Sequence, residues 1–298
     1  MKFSIKHRLT SLFTLALFVC CSSNPDNYTQ RAKAATNTSL KEKSKTDFTT
    51  DTSGITIDKR YKLNHPWQRT SAEAGSFAAF LRQLPLKPYG SPVLYFNGKE
   101  KQTPGVYDSV LDLDIGNKDL QQCADAIIRL RADYLFENAR YEDIHFNLTN
   151  GFKVEYNRWR KGERVMVNGN KTWWEPKTIP SENYYPSYLE FVFMYAGTLS
   201  LSKELRPVSI KDIQMGDVFI QGGSPGHAVI VMDTAINTES GEKIFLLAQS
   251  YMPAQDIQIL HNPSSPERSP WYAVDFGEEL TTPEWTFKKT DLKRFPKE

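Results

Sequence analysis

The stretch that most restricts what this chain can fold into runs from Gln214 to Asp233, QMGDVFIQGGSPGHAVIVMD. Two apolar, β-branched runs, Val218–Ile220 and the run that opens at His227, flank Gly-Gly-Ser-Pro-Gly, and a Gly-Asp turn precedes the first. Glycine and proline punctuate so closely here that the two runs are expected to form a hairpin-like pair of strands. His227 is the first residue of its strand, just outside the glycine turn. An imidazole so placed is held by the sheet while one edge stays open to a cleft. The glycines beside it would also let a substrate backbone approach closely. What His227 can do depends on its chemical partners.

Composition narrows those partners. The 37 Lys and Arg are interspersed with 35 Asp and Glu, and a net charge of +2 is too small to argue for a nucleic-acid surface. Three cysteines occur, Cys20, Cys21 and Cys123. The first two close a leader: Lys2, Lys6 and Arg8 give a basic start and Leu9–Val19 an apolar run too short for an ordinary transmembrane helix. This resembles a bacterial lipoprotein signal over residues 1–21, in which the cysteine after the apolar run is lipidated. Leu17, three residues before Cys20, favours Cys20, with Cys21 as the alternative. Residues 22–54 are rich in Ser, Thr, Asn, Lys and Asp and are expected to be a disordered tether. The folded part then carries a single thiol, which excludes a disulfide framework and a thiolate zinc site. His65, His145 and His261 show no metal-like spacing, so no metal or cofactor is expected.

Along residues 55–298 the pattern alternates between helical and extended segments, with no internal repeat, and predicts one α+β domain. Thr70–Glu73 is a Thr-x-x-Glu capping-box pattern before Phe77, Phe80, Leu81 and Leu84 at helical spacing. Residues 93–96 read as a strand with Asn97-Gly98 as its turn, and residues 106–113 as extended chain. Asp119 is the expected N-cap of a helix from about Leu120 to Ala139. Asn150-Gly151 centres a hairpin in IHFNLTNGFKVEY. Residues 159–177 read as a basic, aromatic loop, and residues 186–199 as one helix with Leu189, Val192, Tyr195 and Leu199 on one face. Further strands are expected at 244–249 and 257–260.

Cys123 falls in the first turn of its helix, where the positive end of the helix favours the thiolate. If the strands pack across that helix, a thiolate–imidazolium pair with His227 follows. Gln249 is the expected orienting group: a hairpin centred near Glu239–Ser240 puts it roughly opposite Ile230, near the His227 end. A glutamine ending the apolar run IFLLAQ is costly to bury unless it is hydrogen-bonded, which independently suggests a network. Asp233 shares the strand parity of His227 but lies too far along to touch the ring. The Cys123 N–H, with the Gln121 or Gln122 side chain, would complete an oxyanion hole. Arg129 and Arg131 would rim the site for a carboxylate-bearing peptide. Trp173 and Trp174, in a Gly/Asn/Lys-rich segment, are the expected platform for sugar or peptide. Trp159, Trp271, Tyr184 and Tyr185 are assigned to the core or a groove wall.

A cysteine at a helix start, then Gly-Asp-Val-Phe-Ile, Gly-His-Ala-Val-Ile-Val and a polar residue on the next strand resembles papain-like cell-wall cysteine peptidases of the NlpC and CHAP type. The resemblance implies an antiparallel sheet packed on the helix carrying Cys123, with an inserted hairpin and helix. It implies Cys123 as nucleophile, His227 as base and Gln249 as orienter. The match is confined to short motifs: the usual Asp-Cys-Ser-Gly context is here Gln122-Cys123-Ala124-Asp125, and the Cys-to-His separation is long. LQQCADAIIRLRADYL, YAGTLSL, PGHAVIV, LLAQSYMPAQ and SPWY are similar, over most of the mature chain, to an uncharacterised family of bacterial lipoproteins known as a domain of unknown function. That similarity implies a membrane-anchored lipoprotein of the bacterial cell envelope, with the outer membrane as the expected membrane, and brings no activity with it.

Two functions follow. The first is a lipid-anchored thiol hydrolase acting on cell-wall or other peptide amides. The second is a non-catalytic envelope lipoprotein that binds glycan or peptide in the same cleft. The second has its own support: Leu120, Cys123, Ile127, Leu130 and Tyr134 follow helical spacing, so Cys123 lies on an apolar stripe where free cysteine is a common core residue.

Overall fold

The computed structural model describes residues 47–176 and 184–296. The expected signal peptide, Cys20, Cys21 and residues 22–46 of the expected tether lie outside them. In chain order the first elements are β1 (Phe48–Thr50), α1 (Ile57–Arg60), β2 (Tyr61–Leu63), β3 (Trp67–Arg69), α2 (Phe77–Arg82) and β4 (Tyr107–Val110). Then come α3 (Cys123–Glu137), β5 (His145–Asn147), β6 (Lys153–Glu155), α4 (Tyr156–Trp159), β7 (Glu163–Asn168) and β8 (Lys171–Pro176). After these follow α5 (Tyr184–Tyr195), α6 (Thr198–Glu204), β9 (Arg206–Pro207), β10 (Val218–Gln221), β11 (His227–Asn237) and β12 (Lys243–Gln249). The last are β13 (Gln258–Leu260), β14 (Tyr272–Ala273), β15 (Glu279–Thr281), β16 (Thr286–Lys288) and β17 (Leu292–Arg294). The protein is a mixed α+β structure built on mostly antiparallel sheet.

The main sheet has the strand order β4-β13-β12-β11-β10-β17-β9, with β3 added to β11 and β14 to β12. Every pairing in it is antiparallel. The Gly-rich stretch does join a strand pair: β10 and β11 align Gln221 with His227 and Val218 with Ile230. Residues alternate across the sheet, and both faces are buried. On one face Ala228, Ile230, Met232, Leu246 and Ala248 share a core with Ala124, Ile127, Ile128 and Leu130 of α3. On the other, Phe219, Val229, Val231, Phe245 and Leu247 pack with Leu280, Phe287 and Leu292. A sheet covered twice needs unbroken apolar strands rather than alternating ones, which accounts for HAVIVM and IFLLA.

The structure corrects several local expectations. Residue 55 is not where order begins, because β1 already pairs with β2; the Phe48 ring lies 5.4 Å from that of Trp67 and 6.4 Å from that of Trp271. α3 starts at Cys123 with Gln122 as N-cap. Asp119 instead accepts from the Ala254 N–H at 2.7 Å and the Gln122 Nε2 at 3.1 Å. α2 is capped by Ser76, whose hydroxyl accepts from the Ala79 N–H at 3.2 Å, while Thr70 bonds Thr234 on β11. The segment read as a loop is the hairpin β7–β8, with Asn168 opposite Lys171 and Gly169 at φ +57°. Gly169-Asn170 is thus a two-residue turn of the kind that favours positive φ, a signal the composition of the segment masked. The helix expected over 186–199 is split into α5 and α6, and Tyr195 and Leu199 are exposed.

The glycine loop between β10 and β11 is held against α6. A Cβ on Gly226 would stand 2.5 Å from both the Gly223 carbonyl oxygen and Thr198 Oγ1, and one on Gly222 would stand 2.5 Å from Ser202 Oγ. Gly222 and Gly226 thus make room for the protein's own helix. Gly226→Ala is therefore expected to cost at least about 2 kcal/mol, since backbone on two sides cannot yield. Urea unfolding against the wild-type chain measures it.

Candidate active site

Two strand ends and one helix start converge where β11 begins. α3 presents Cys123 at its first residue, 7 % exposed. β11 presents His227, and β12 ends at Gln249, each 1 % exposed. The registered partner of Ile230 is Ala248, so Gln249 falls one residue closer to the His227 end than the sequence predicted. His227 Nε2 and Gln249 Oε1 are 2.8 Å apart.

What lies beyond Gln249 was not legible in the sequence. Gln249 Nε2 donates to Glu284 Oε2 at 2.6 Å. Glu284 sits in the turn between β15 and β16. Its carboxylate also accepts from Lys101 Nζ at 2.8 and 2.7 Å, and Lys101 reaches Gln255 Oε1 at 3.0 Å. The chemistry of this chain of contacts fixes the tautomer of the imidazole. A carboxylate only accepts, so Gln249 turns its NH₂ to Glu284 and its oxygen to His227. His227 Nε2 must then carry the proton, and Nδ1 is left with the lone pair. The ring is enclosed by Tyr251, Trp285 and Phe287 at centroid distances of 4.8, 5.5 and 6.0 Å.

Strand parity puts His227 and Gln249 with Val229 and Leu247, on the sheet face covered by β15 and β16. α3 crosses the opposite face. The strands do pack across the helix, but His227 belongs to the other face, so helix and histidine meet only at the end of the sheet. There they line one cavity of about 630 Å³, with Gln122, Asp125, Thr198, Tyr251 and Trp285 among its walls. Among the described residues no hydrogen bond joins Cys123 to His227, and His227 Nδ1 has no hydrogen-bond partner.

The electrostatics of the resting site differ from the expected thiolate–imidazolium pair. Burial, reinforced by the Asp125 carboxylate, pushes the Cys123 thiol up to about 11. The backbone N–H groups of Ala124, Ala228 and Cys123 oppose this, but desolvation wins. Burial lowers the His227 imidazole to about 4, against the bond to Gln249, with the Lys101 charge adding to the lowering. The pair at rest is a neutral thiol and a neutral imidazole.

Asp125 is the third perturbed group. Its Oδ2 accepts from the Gln122 N–H at 3.1 Å, the near half of a capping box. Its Oδ1 is buried without a partner. Burial raises this carboxyl from 3.8 to about 8. Between those values the fold holds a proton that the unfolded chain has lost, so Asp125 lowers stability as pH rises through that window. Asp125→Asn, which keeps the acceptor for Gln122, is expected to stabilise the fold by about 2–5 kcal/mol at about pH 8 and by less than about 1 kcal/mol near pH 4. Denaturant midpoints of the two chains at both pH values measure it.

Other expected site residues lie elsewhere. Gln121 lines a neighbouring cavity; its Oε1 accepts from Arg129 Nη1 at 2.9 Å and its Nε2 is buried without a partner. Gln122 is the oxyanion candidate that remains on the Cys123 cavity. Arg129 is tied to Asp133 Oδ2 at 2.8 Å and to the Asp114 carbonyl at 2.7 Å. Arg131 is 5 % exposed and packs over the rings of Phe77, Tyr134 and Phe295. Neither arginine rims the cavity, because α3 carries both past its first turn and away from its N-terminus. Trp173 and Trp174 are on β8, where Trp174 packs on Phe152 and under Arg158, and neither lines the cavity. The aromatic side chains that do are Phe193, Tyr251 and Trp285.

Fold and site define a class: an α+β protein in which an antiparallel sheet, covered on both faces, holds a His–Gln–Glu–Lys chain of contacts beside a buried thiol. The protein belongs to the family described as Domain of unknown function (4846), which matches residues 57–294. No curated protein and no solved structure matches it.

Proposed function

We propose that this chain is a papain-like thiol hydrolase of the bacterial envelope, anchored through lipid on Cys20 or Cys21 and acting on peptide amides, cell-wall peptide being the substrate class suggested by resemblance. The observation that carries the reading is the oriented imidazole: Nε2 is committed to Gln249, and Nδ1 is free on a cavity that also holds the only thiol of the described chain. Nδ1 takes the Cys123 proton as the sulfur attacks the amide carbonyl. The donors for the oxyanion are the Cys123 N–H and the second hydrogen of the Gln122 NH₂, whose first goes to Asp119. The imidazolium returns its proton to the departing amine, leaving a thioester that water, deprotonated by the same nitrogen, hydrolyses. Glu284 and Lys101 act through Gln249 and are positioning residues.

A specific observation also supports the binding alternative: a thiol 7 % exposed and pushed up to about 11 is the ordinary state of a core cysteine. Incubation with isolated peptidoglycan separates the two. The hydrolase releases soluble peptide fragments identifiable by mass, with a new amine and carboxyl at each cut. The binding protein retains the polymer without cleaving it. Cell-wall and synthetic peptides that all remain intact would contradict the proposal. No helix of the described residues is long and apolar enough to cross a membrane, so attachment in this reading rests on the lipid.

A further inference from the structure

We propose that the Asp125 side of the cavity is a subsite for a primary ammonium group, so that the amide attacked at Cys123 belongs to a peptide carrying a free amine; this rests on the hydrolase reading above. Asp125 is 6 % exposed, and its Oδ1 is buried with no hydrogen-bond partner. A buried acceptor left empty costs free energy that a ligand donor would recover. Asp125 lines the same cavity as Cys123 and His227, so the missing donor has a route from the substrate.

The wall of the cavity decides the charge of that donor. Asp119 and Asp125 are its carboxylates, and neither Lys nor Arg lines it. The other titratable groups facing it are Cys123, His227 and Tyr251. A neutral N–H would meet the Oδ1 position but leave the carboxyl protonated, as burial holds it. An ammonium supplies both the donor and the opposite charge. The rim suits the stem of such a ligand: Met194, Leu199 and Met252, exposed by 52, 37 and 57 %, form an apolar margin with no charge of its own. Because burial keeps Asp125 protonated well above the usual carboxylate range, an ammonium that enters in mildly acidic solution must displace that proton.

The test is a calorimetric titration of the full-length Cys123→Ala chain, which cannot turn over its ligand. The probes are L-alanyl-L-alanine amide and its N-acetylated form, at about pH 6 in buffers of different ionisation enthalpy, where the free amine is protonated. The amine probe is expected to bind at least about tenfold more tightly than the acetylated one and to release close to one proton, since one pKa unit of interaction corresponds to tenfold. Adding Asp125→Asn, which preserves the Gln122 contact, should abolish both the preference and the proton release. Equal affinities, binding of the amine without proton release, a preference that survives Asp125→Asn, or no binding of the amine probe would each overturn the subsite. The first two readings need no Asp125 variant, so a misfolded variant does not protect the proposal. Amine-selective binding by a chain that cleaves no peptide would leave the subsite standing and remove the hydrolase. Equal cleavage of free and acetylated peptides would do the reverse.

Discussion

Replacing Cys123 with alanine is expected to reduce peptide-amide hydrolysis by at least about 10⁴-fold, the scale on which removal of a covalent nucleophile acts, while the fold persists. The side chain is small and lies at the first residue of α3, with its sulfur beside backbone N–H groups. Its loss should cost only about 1 kcal/mol, the value of a small buried group. A steady-state assay on released amine, beside a melting curve, gives both quantities. Retained activity would move the nucleophile elsewhere. A collapsed melting temperature would make Cys123 structural. Its neighbour His227 should set the pH profile: with the imidazole lowered to about 4 and the thiol raised to about 11, the reactive protonation state of both spans the neutral range. The rate is therefore expected to fall on acidification only as pH nears about 4, rather than near the ordinary histidine value of about 6.5.

Glu284→Ala is expected to have the largest effect on stability, about 3–5 kcal/mol, because it leaves the Lys101 ammonium buried and unpaired. The Lys101 side chain is 2 % exposed and that of Glu284 16 %, so solvent cannot replace the lost partner. The same change frees Gln249 to turn over, and with it the tautomer of His227. Turnover should drop by about 10- to 100-fold with little change in KM, as when an outer hydrogen-bond partner is removed from an oriented imidazole. Glu284→Gln keeps an oxygen facing Gln249 Nε2 and should restore much of the turnover without restoring the ion pair. A merely structural role for Glu284 predicts that activity and stability recover together, and the two variants distinguish these outcomes. Denaturant unfolding and kcat measured on the same preparations suffice.

The strand pair from Val218 to Asp233 was legible because turn chemistry is local: glycine and proline report their own backbone. Gln249 beside His227 was legible for an energetic reason, the cost of an amide at the end of a buried strand. Glu284 was not. It is 35 residues from Gln249 and 183 from Lys101, and nothing in Thr-Thr-Pro-Glu-Trp marks a carboxylate destined for burial. Trp285 and Tyr251 escaped for the same reason, since an aromatic residue looks alike in a core and in a cavity wall. Asp125 did leave a signal, an acid three residues after the N-cap, but that signal describes only the oxygen that caps the helix. The split of α5 from α6 and the face of the sheet that carries His227 are products of tertiary packing. Parity along β11 can be counted in the sequence, but which face meets α3 depends on what covers the other, and that is β15 and β16 from the far end of the chain.

The central claim is that the folded chain presents Cys123 to a cavity in which His227 is its base. Alkylation by iodoacetamide of the native full-length chain, read at Cys123 by peptide mass mapping in wild type and His227→Ala, tests it most directly. The account predicts that Cys123 is modified while the protein remains folded, and that the rate falls at least about tenfold when the imidazole is removed, in line with the loss of general-base assistance. Modification that occurs only after unfolding, or at the same rate with and without the imidazole, would contradict it.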